Sequence, residues 1–133
     1  MKAASREAQS HVTGKLEELI RNADNSVAVA AQIGTELFLT VDQLDTERAL
    51  RIAVADTSLE SSQREGIIRD VFGNKVAEPT LNILTAAAQQ EWSTPREFRA
   101  GLVNLGRHAL ELGAKEQGQL CLLYTSDAAD DMQ

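Results

Sequence analysis

Proline is nearly absent from this chain: Pro79 and Pro95 are the two in 133 residues. Proline breaks helices by removing a donor and crowding the preceding turn. A sequence this poor in it, and rich in alanine, favours helix. The β-branched residues are too scattered to make the alternating runs that strands need. The single cysteine, Cys121, excludes an internal disulfide. Apolar runs are short, and the one at residues 27–31 is as long as any. A membrane-spanning helix needs about 20 apolar residues, so direct membrane insertion is not expected.

Groups that do chemistry are equally thin. His11 and His108 are the two histidines, with no His-x-x-x-His or Cys-x-x-Cys spacing, so no metal site is expected. Ser61, Ser62 and Ser93 sit in cap or turn contexts, and no Gly-x-Ser-x-Gly elbow occurs. Phe72-Gly73-Asn74-Lys75 pairs a glycine with a lysine. A phosphate loop needs several glycines and then Lys-Ser/Thr, whereas Gly73 stands alone and Val76 follows Lys75. Nothing assembles an acid, a base and a nucleophile, so neither catalysis nor a cofactor is expected. The net charge is −7, and Asp127, Asp130 and Asp131 lie beyond residue 120, which leaves −4 on residues 1–120. An acidic domain is a poor match for nucleic acid or anionic lipid.

What is present is helical periodicity with clear punctuation. Helix 1 is expected over residues 3–22, with Ala8, Val12, Leu16, Leu19 and Ile20 on one face. Ser26 is a candidate N-cap for helix 2, which runs to Leu44 and buries Ala30, Ile33, Leu37, Val41 and Leu44. Asp45 or Thr46 caps a short helix 3 over residues 47–55, with Leu50 and Val54 inward. Ser62-Gln63-Arg64-Glu65 reads as a capping box opening helix 4, whose apolar residues are Ile67, Ile68, Val71 and Phe72. Gly73 is its stop, through the left-handed conformation glycine permits. Helix 5 starts at Pro79 and runs to Gln90, presenting Leu81, Leu84 and Ala88. Thr94-Pro95-Arg96-Glu97 opens helix 6. Its face of Phe98, Leu102, Leu105, Ala109 and Leu112 carries it to about Gln117. Trp92, at the junction of helices 5 and 6, is expected to be partly buried. The pairs Glu17-Glu18 and Asp42/Asp45 read as solvated faces.

Six helices with short connectors make an all-α six-helix bundle over residues 1–120. Residues 121–133 continue no periodicity. Cys121-Leu122-Leu123-Tyr124-Thr125-Ser126-Asp127-Ala128-Ala129-Asp130 resembles the translated read-through of a sequencing-library adapter, so a non-native, disordered tail is expected there. The small Ala86-Ala87-Ala88 stretch and the apolar rows of helices 1 and 5 are suited to a shallow groove for an amphipathic partner helix. A helix-turn-helix around Gly73, and hence a helical DNA-binding regulator, is the alternative. Helix 5 carries no Lys or Arg between Pro79 and Gln90 to read bases or phosphates.

The same stretch carries a family pattern. An apolar helix ends in Phe72-Gly73-Asn74-Lys75-Val76, and Thr80-Leu81-Asn82-Ile83-Leu84 follows. With Ala3-Ala4-Ser5-Arg6-Glu7-Ala8, Thr35-Glu36-Leu37-Phe38, Glu47-Arg48-Ala49-Leu50-Arg51, Glu91-Trp92-Ser93 and Arg96-Glu97-Phe98-Arg99-Ala100-Gly101-Leu102, it resembles the delta subunit of F-type ATP synthases, actinobacterial type, over residues 3–120. The resemblance implies a six-helix domain capping the catalytic head. It implies a non-catalytic stator role, resisting rotor torque during proton-driven ATP synthesis, as a peripheral protein on the cytoplasmic face of the cell membrane. The implied partners are the N-terminal helix of an alpha subunit, held between helices 1 and 5, and the b subunit of the peripheral stalk, reached through a C-terminal domain this chain lacks. Carried over, the groove residues are Val12, Leu16, Leu19, Leu81, Leu84 and Ala88. Actinobacterial members resemble a tandem of two helical repeats, of which this chain holds the first.

Overall fold

A computed structural model describes the backbone of residues 1–131 and the side chains of residues 1–118. Six helices follow one another: α1 (Ala3–Arg21), α2 (Ser26–Thr46), α3 (Arg48–Val54), α4 (Ser61–Phe72), α5 (Glu78–Gln89) and α6 (Pro95–Asp131). No strand occurs among the described residues. The all-α six-helix architecture expected from periodicity is therefore observed. Helix α6 runs past Gln117 to Asp131, because a nucleated helix extends at little cost even where no apolar stripe asks for it. The side chains of Cys121 and Tyr124, and residues 132 and 133 altogether, lie outside the described residues.

The core follows the stripes. Ala8, Val12, Leu16 and Ile20 of α1 are buried, as are Ala30, Ile33, Leu37, Val41 and Leu44 of α2 and Phe98, Leu102, Leu105 and Ala109 of α6. Leu19, Leu50, Ile67, Val71, Leu81 and Leu112 are half-buried against this cluster.

Helices α2 and α6 share the most extensive interface. They run antiparallel, and glycines bring their backbones close. A Cβ added at Gly113 would lie 3.2 Å from the Ala30 methyl, one at Gly34 would lie 2.6 Å from Leu110 Cδ2, and one at Gly106 would lie 3.1 Å from the Phe38 ring. Further along, Arg99 of α6 donates two hydrogen bonds to Asp45, at 2.6 and 2.9 Å. Asp45 is exposed, as a solvated face implies, but it is also an ion-pair partner, and the Arg99 bonds hold its carboxyl below the usual carboxylate range. Glu17 likewise meets His108 across α1 and α6, at 2.8 Å.

Several helix ends differ from their sequence signals. Asn25, not Ser26, caps α2, its side chain accepting the Ala28 N–H at 3.1 Å. Helix α3 has no side-chain cap, because Asp45 is committed to Arg99 and the Thr46 hydroxyl turns back to the Gln43 carbonyl. Helix α4 starts earlier than the Ser62 box requires: the Gln63 side chain accepts the Glu60 N–H at 2.8 Å, and that frees Arg64 and Glu65 for other partners. Gly73 does end α4, but in the right-handed region, with φ −55°. Glycine is required there because a Cβ would collide with the Arg69 carbonyl oxygen. Thr94 performs as its motif predicts, accepting the Glu97 N–H at 3.1 Å. The Glu97 carboxylate instead receives the Lys2 N–H, at 3.1 Å, tying the start of α6 to the start of α1.

Helix α5 is the most enclosed element, with every residue from Ile83 to Ala88 buried. Buried helix ends cannot leave their orphan N–H and C=O groups to water. At its N-terminus, Glu36 of α2 accepts the Ala77 N–H at 3.1 Å and the Thr80 hydroxyl at 2.6 Å. At its C-terminus, the buried Arg64 of α4 donates from Nε to the Ala88 carbonyl at 2.7 Å and from Nη2 to the Gln90 carbonyl at 3.4 Å. Its Nη1 bonds the carbonyls of Asp56 and Leu59. An acid at the positive end and a base at the negative end both suit the helix dipole.

Trp92 is only 2% exposed, more deeply buried than a junction residue suggests. Its indole N–H donates to the Ala87 carbonyl at 2.8 Å, and its ring stands edge-on to Phe98 with centroids 5.8 Å apart. Gly101 makes room for it: a Cβ there would lie 2.5 Å from the indole.

Two sets of variants test these contacts by urea denaturation. Arg64→Ala strands four carbonyls and should cost about 2–4 kcal/mol, and Arg64→Lys should recover little, because an ammonium cannot reproduce the guanidinium fork. Gly101→Ala should cost about 1–3 kcal/mol by overpacking against the pinned indole, outweighing the gain in helix propensity. Gly66→Ala, where nothing lies within 4 Å of the new methyl, should show that gain alone, about 0.5–1 kcal/mol of added stability.

Candidate partner-binding face

The six residues singled out as groove-lining divide in two. Val12, Leu16, Leu84 and Ala88 are fully buried, sealed between α1, α5 and the rest of the core. Leu19 and Leu81 are half-buried and reach the surface. The division follows from helical geometry. Residues 12 and 16 sit one turn apart on the inward face of α1, whereas 19 falls to its edge. On α5, Leu84 and Ala88 share the inward row and Leu81 lies at the more open N-terminal end.

The two helices run antiparallel. Ala4, Glu7 and Ala8 of α1 border a small depression with Gln89, Gln90 and Glu91 at the far end of α5. Leu19, near the end of α1, and Leu81, near the start of α5, therefore stand at the same end of the pair. Along the outer side of α1, His11, Gly14, Lys15, Glu18, Leu19 and Asn22 line a shallow depression of about 670 Å³. Gly14 contributes no side chain, which makes the surface locally concave.

Polar groups frame this face. Glu65 of α4 accepts the Gln89 amide at 2.6 Å and the Arg69 guanidinium at 2.9 Å. Its carboxyl is held below the ordinary range, first by Arg69, then by Gln89, with a smaller contribution from the Lys15 charge on α1. Lys15 and Glu18 line the depression beside Leu19, which was not legible from the sequence. Only their failure to fit the apolar stripes set them outside.

The helix-turn-helix alternative fails on geometry. Helix α5 would have to enter a DNA groove, yet it is buried from Ile83 to Ala88 between its neighbours. Among the described residues, no cluster of three or more His, Cys, Asp or Glu side chains is arranged to hold a metal ion, and no helix is long and apolar enough to cross a membrane.

No family model matches the chain. Individual proteins do. The chain is 59% identical over 120 residues to ATP synthase subunit delta of Corynebacterium efficiens, covering 90% of this chain and 43% of that protein. It is 58% identical over 120 residues to the protein of the same name from Corynebacterium glutamicum, with 90% and 44% covered. It is 44% identical over 133 residues to that of Rhodococcus opacus, with 98% and 46% covered. The chain thus spans less than half the length of these curated relatives, and over that span it is homologous to them.

Thermal or urea unfolding distinguishes wall from rim. Leu16→Ala and Leu84→Ala should each lose about 2–5 kcal/mol as core truncations. Leu19→Ala and Leu81→Ala should each lose distinctly less, because their partly solvated sites collapse or fill with water.

Proposed function

We propose, from its homology to ATP synthase delta subunits, that this chain is a non-catalytic stator piece of the proton-translocating F-type ATP synthase. It binds the catalytic head and contributes to holding that head still against the rotor. The observation that carries the reading is the 59% identity over 120 residues to a delta subunit. The chain presents half-buried Leu19 beside a concave edge of α1, and Glu36 and Arg64 are committed to the ends of α5.

In this reading the N-terminal helix of an alpha subunit lies along the α1–α5 face. Leu19 and Leu81 are its contacts, and Val12, Leu16, Leu84 and Ala88 form the wall that positions them. Direct contact by those four would require α1 and α5 to part. The partner helix is amphipathic, with its apolar row inward and its flanks meeting Lys15, Glu18 and Gln89. The peripheral-stalk b subunit is reached through sequence outside this chain, and the assembly sits on the cytoplasmic face of the membrane as a peripheral complex.

Titration calorimetry with a synthetic peptide of the alpha-subunit N-terminal helix tests the assignment. Leu19→Asp and Leu81→Asp should weaken binding by about 1–3 kcal/mol, under conditions where circular dichroism shows each variant still folded. Binding unchanged by both substitutions would remove the face from the interface. No heat and no displacement of a labelled peptide would remove the alpha-subunit helix as partner.

A further inference from the structure

A second surface shares no residue with the α1–α5 face. Where the end of α2, helix α3 and the start of α6 meet, Asp45, Arg48, Arg51, Ile52, Pro95, Arg96 and Arg99 line an open cleft of about 590 Å³. Four guanidinium groups face one carboxylate there, in a chain whose overall charge is −7. Asp45 takes both hydrogen bonds from Arg99 and lies 3.8 Å from Arg51. Asp42 adds a more distant negative charge near Arg99, and Glu47 is held by the Gln43 amide at 2.9 Å. Arg48 and Arg96 are exposed and make no ion pair among the described residues. Ile52 lines the same cleft and is 44% exposed, one of the few large apolar side chains left in water among the described residues.

We propose that this cleft docks an acidic segment of a partner protein, with an Asp or Glu carboxylate between Arg48 and Arg96 and an apolar side chain against Ile52 and Pro95. Asp45 demonstrates the recognition in place: a carboxylate already sits in the fork of one of the four arginines, and paired guanidiniums suit a second. The apolar rim favours a peptide over a bare phosphate, which has nothing to lay on Ile52. The acidic character of the remaining chain disfavours a long polyanion or an anionic membrane, because either would extend beyond the cleft onto like charge.

The test uses the full chain and a labelled, helix-forming peptide of alternating Glu and Leu clusters, read by fluorescence anisotropy. Binding should weaken with added salt, and Arg48→Gln with Arg96→Gln should weaken it at least about tenfold at an unchanged unfolding midpoint. Ile52→Ser alone should weaken it less, and a Lys-for-Glu peptide should not bind. Leu19→Asp should leave it unaltered, which separates this cleft from the face proposed for the alpha-subunit helix. Failure of the acidic peptide to bind, or binding indifferent to Arg48 and Arg96, would overturn the proposal. So would Arg48/Arg96-dependent binding of inorganic phosphate or phosphatidylglycerol vesicles that excludes the peptide.

Discussion

A helix enclosed by its neighbours must find partners for its terminal backbone groups without water, and in this bundle the enclosed helix is α5. The partners come from two other helices. Glu36 of α2 takes the amide and hydroxyl at one end, and Arg64 of α4 takes the carbonyls at the other. An isolated buried guanidinium would be costly. Arg64 is tolerated because four carbonyl oxygens surround it, two of them at the negative end of α5. The arrangement sets the lengthwise position of α5 relative to both neighbours. Apolar packing alone does this weakly, since a row of leucines and alanines can slide by a turn.

With α5 pinned, the rest of the bundle has a template. The α2–α6 pair closes one side through glycine notches that admit Leu110, Phe38 and Ala30, and Asp45 with Arg99 locks its far end. Helix α1 covers α5 and is stitched to α6 at both ends, by Lys2 with Glu97 and by Glu17 with His108. Ser5, fully buried, accepts the Ser93 N–H at 2.8 Å and ties α1 to the α5–α6 junction. These contacts fix how α1 lies against α5 and α6, and with it where Leu19 stands.

The bundle is braced by buried polar contacts between helices, through Glu36 and Arg64, and by tight notches between backbones. The two proposed docking surfaces differ in character. One is shallow beside α1, with Leu19 set among polar side chains; the other is basic and open beside α3.

The helices and most of the core were legible in the sequence because their signals are local. Spacings of three and four residues mark Ala8, Val12, Leu16 and Ile20, or Phe98, Leu102, Leu105 and Ala109, as one face, and Thr94 with Pro95 marks a start that the structure uses. Caps such as Asn25, and the shift of the α4 start to Glu60 and Gln63, were missed because several polar residues in a row can each serve locally. The apolar rows of α1 and α5 were legible too, but not which of their members would be wall and which rim. Val12 and Leu19 carry the same local signal, and exposure depends on what packs above them. Nothing local marked Glu36, Arg64 and Asp45 as links between helices, since their partners lie 41, 24 and 54 residues away. Periodicity settled which residues turn inward. Only the packing of one helix against another, which brings distant groups within hydrogen-bond reach, decided which charges lock the bundle and which remain open to a partner.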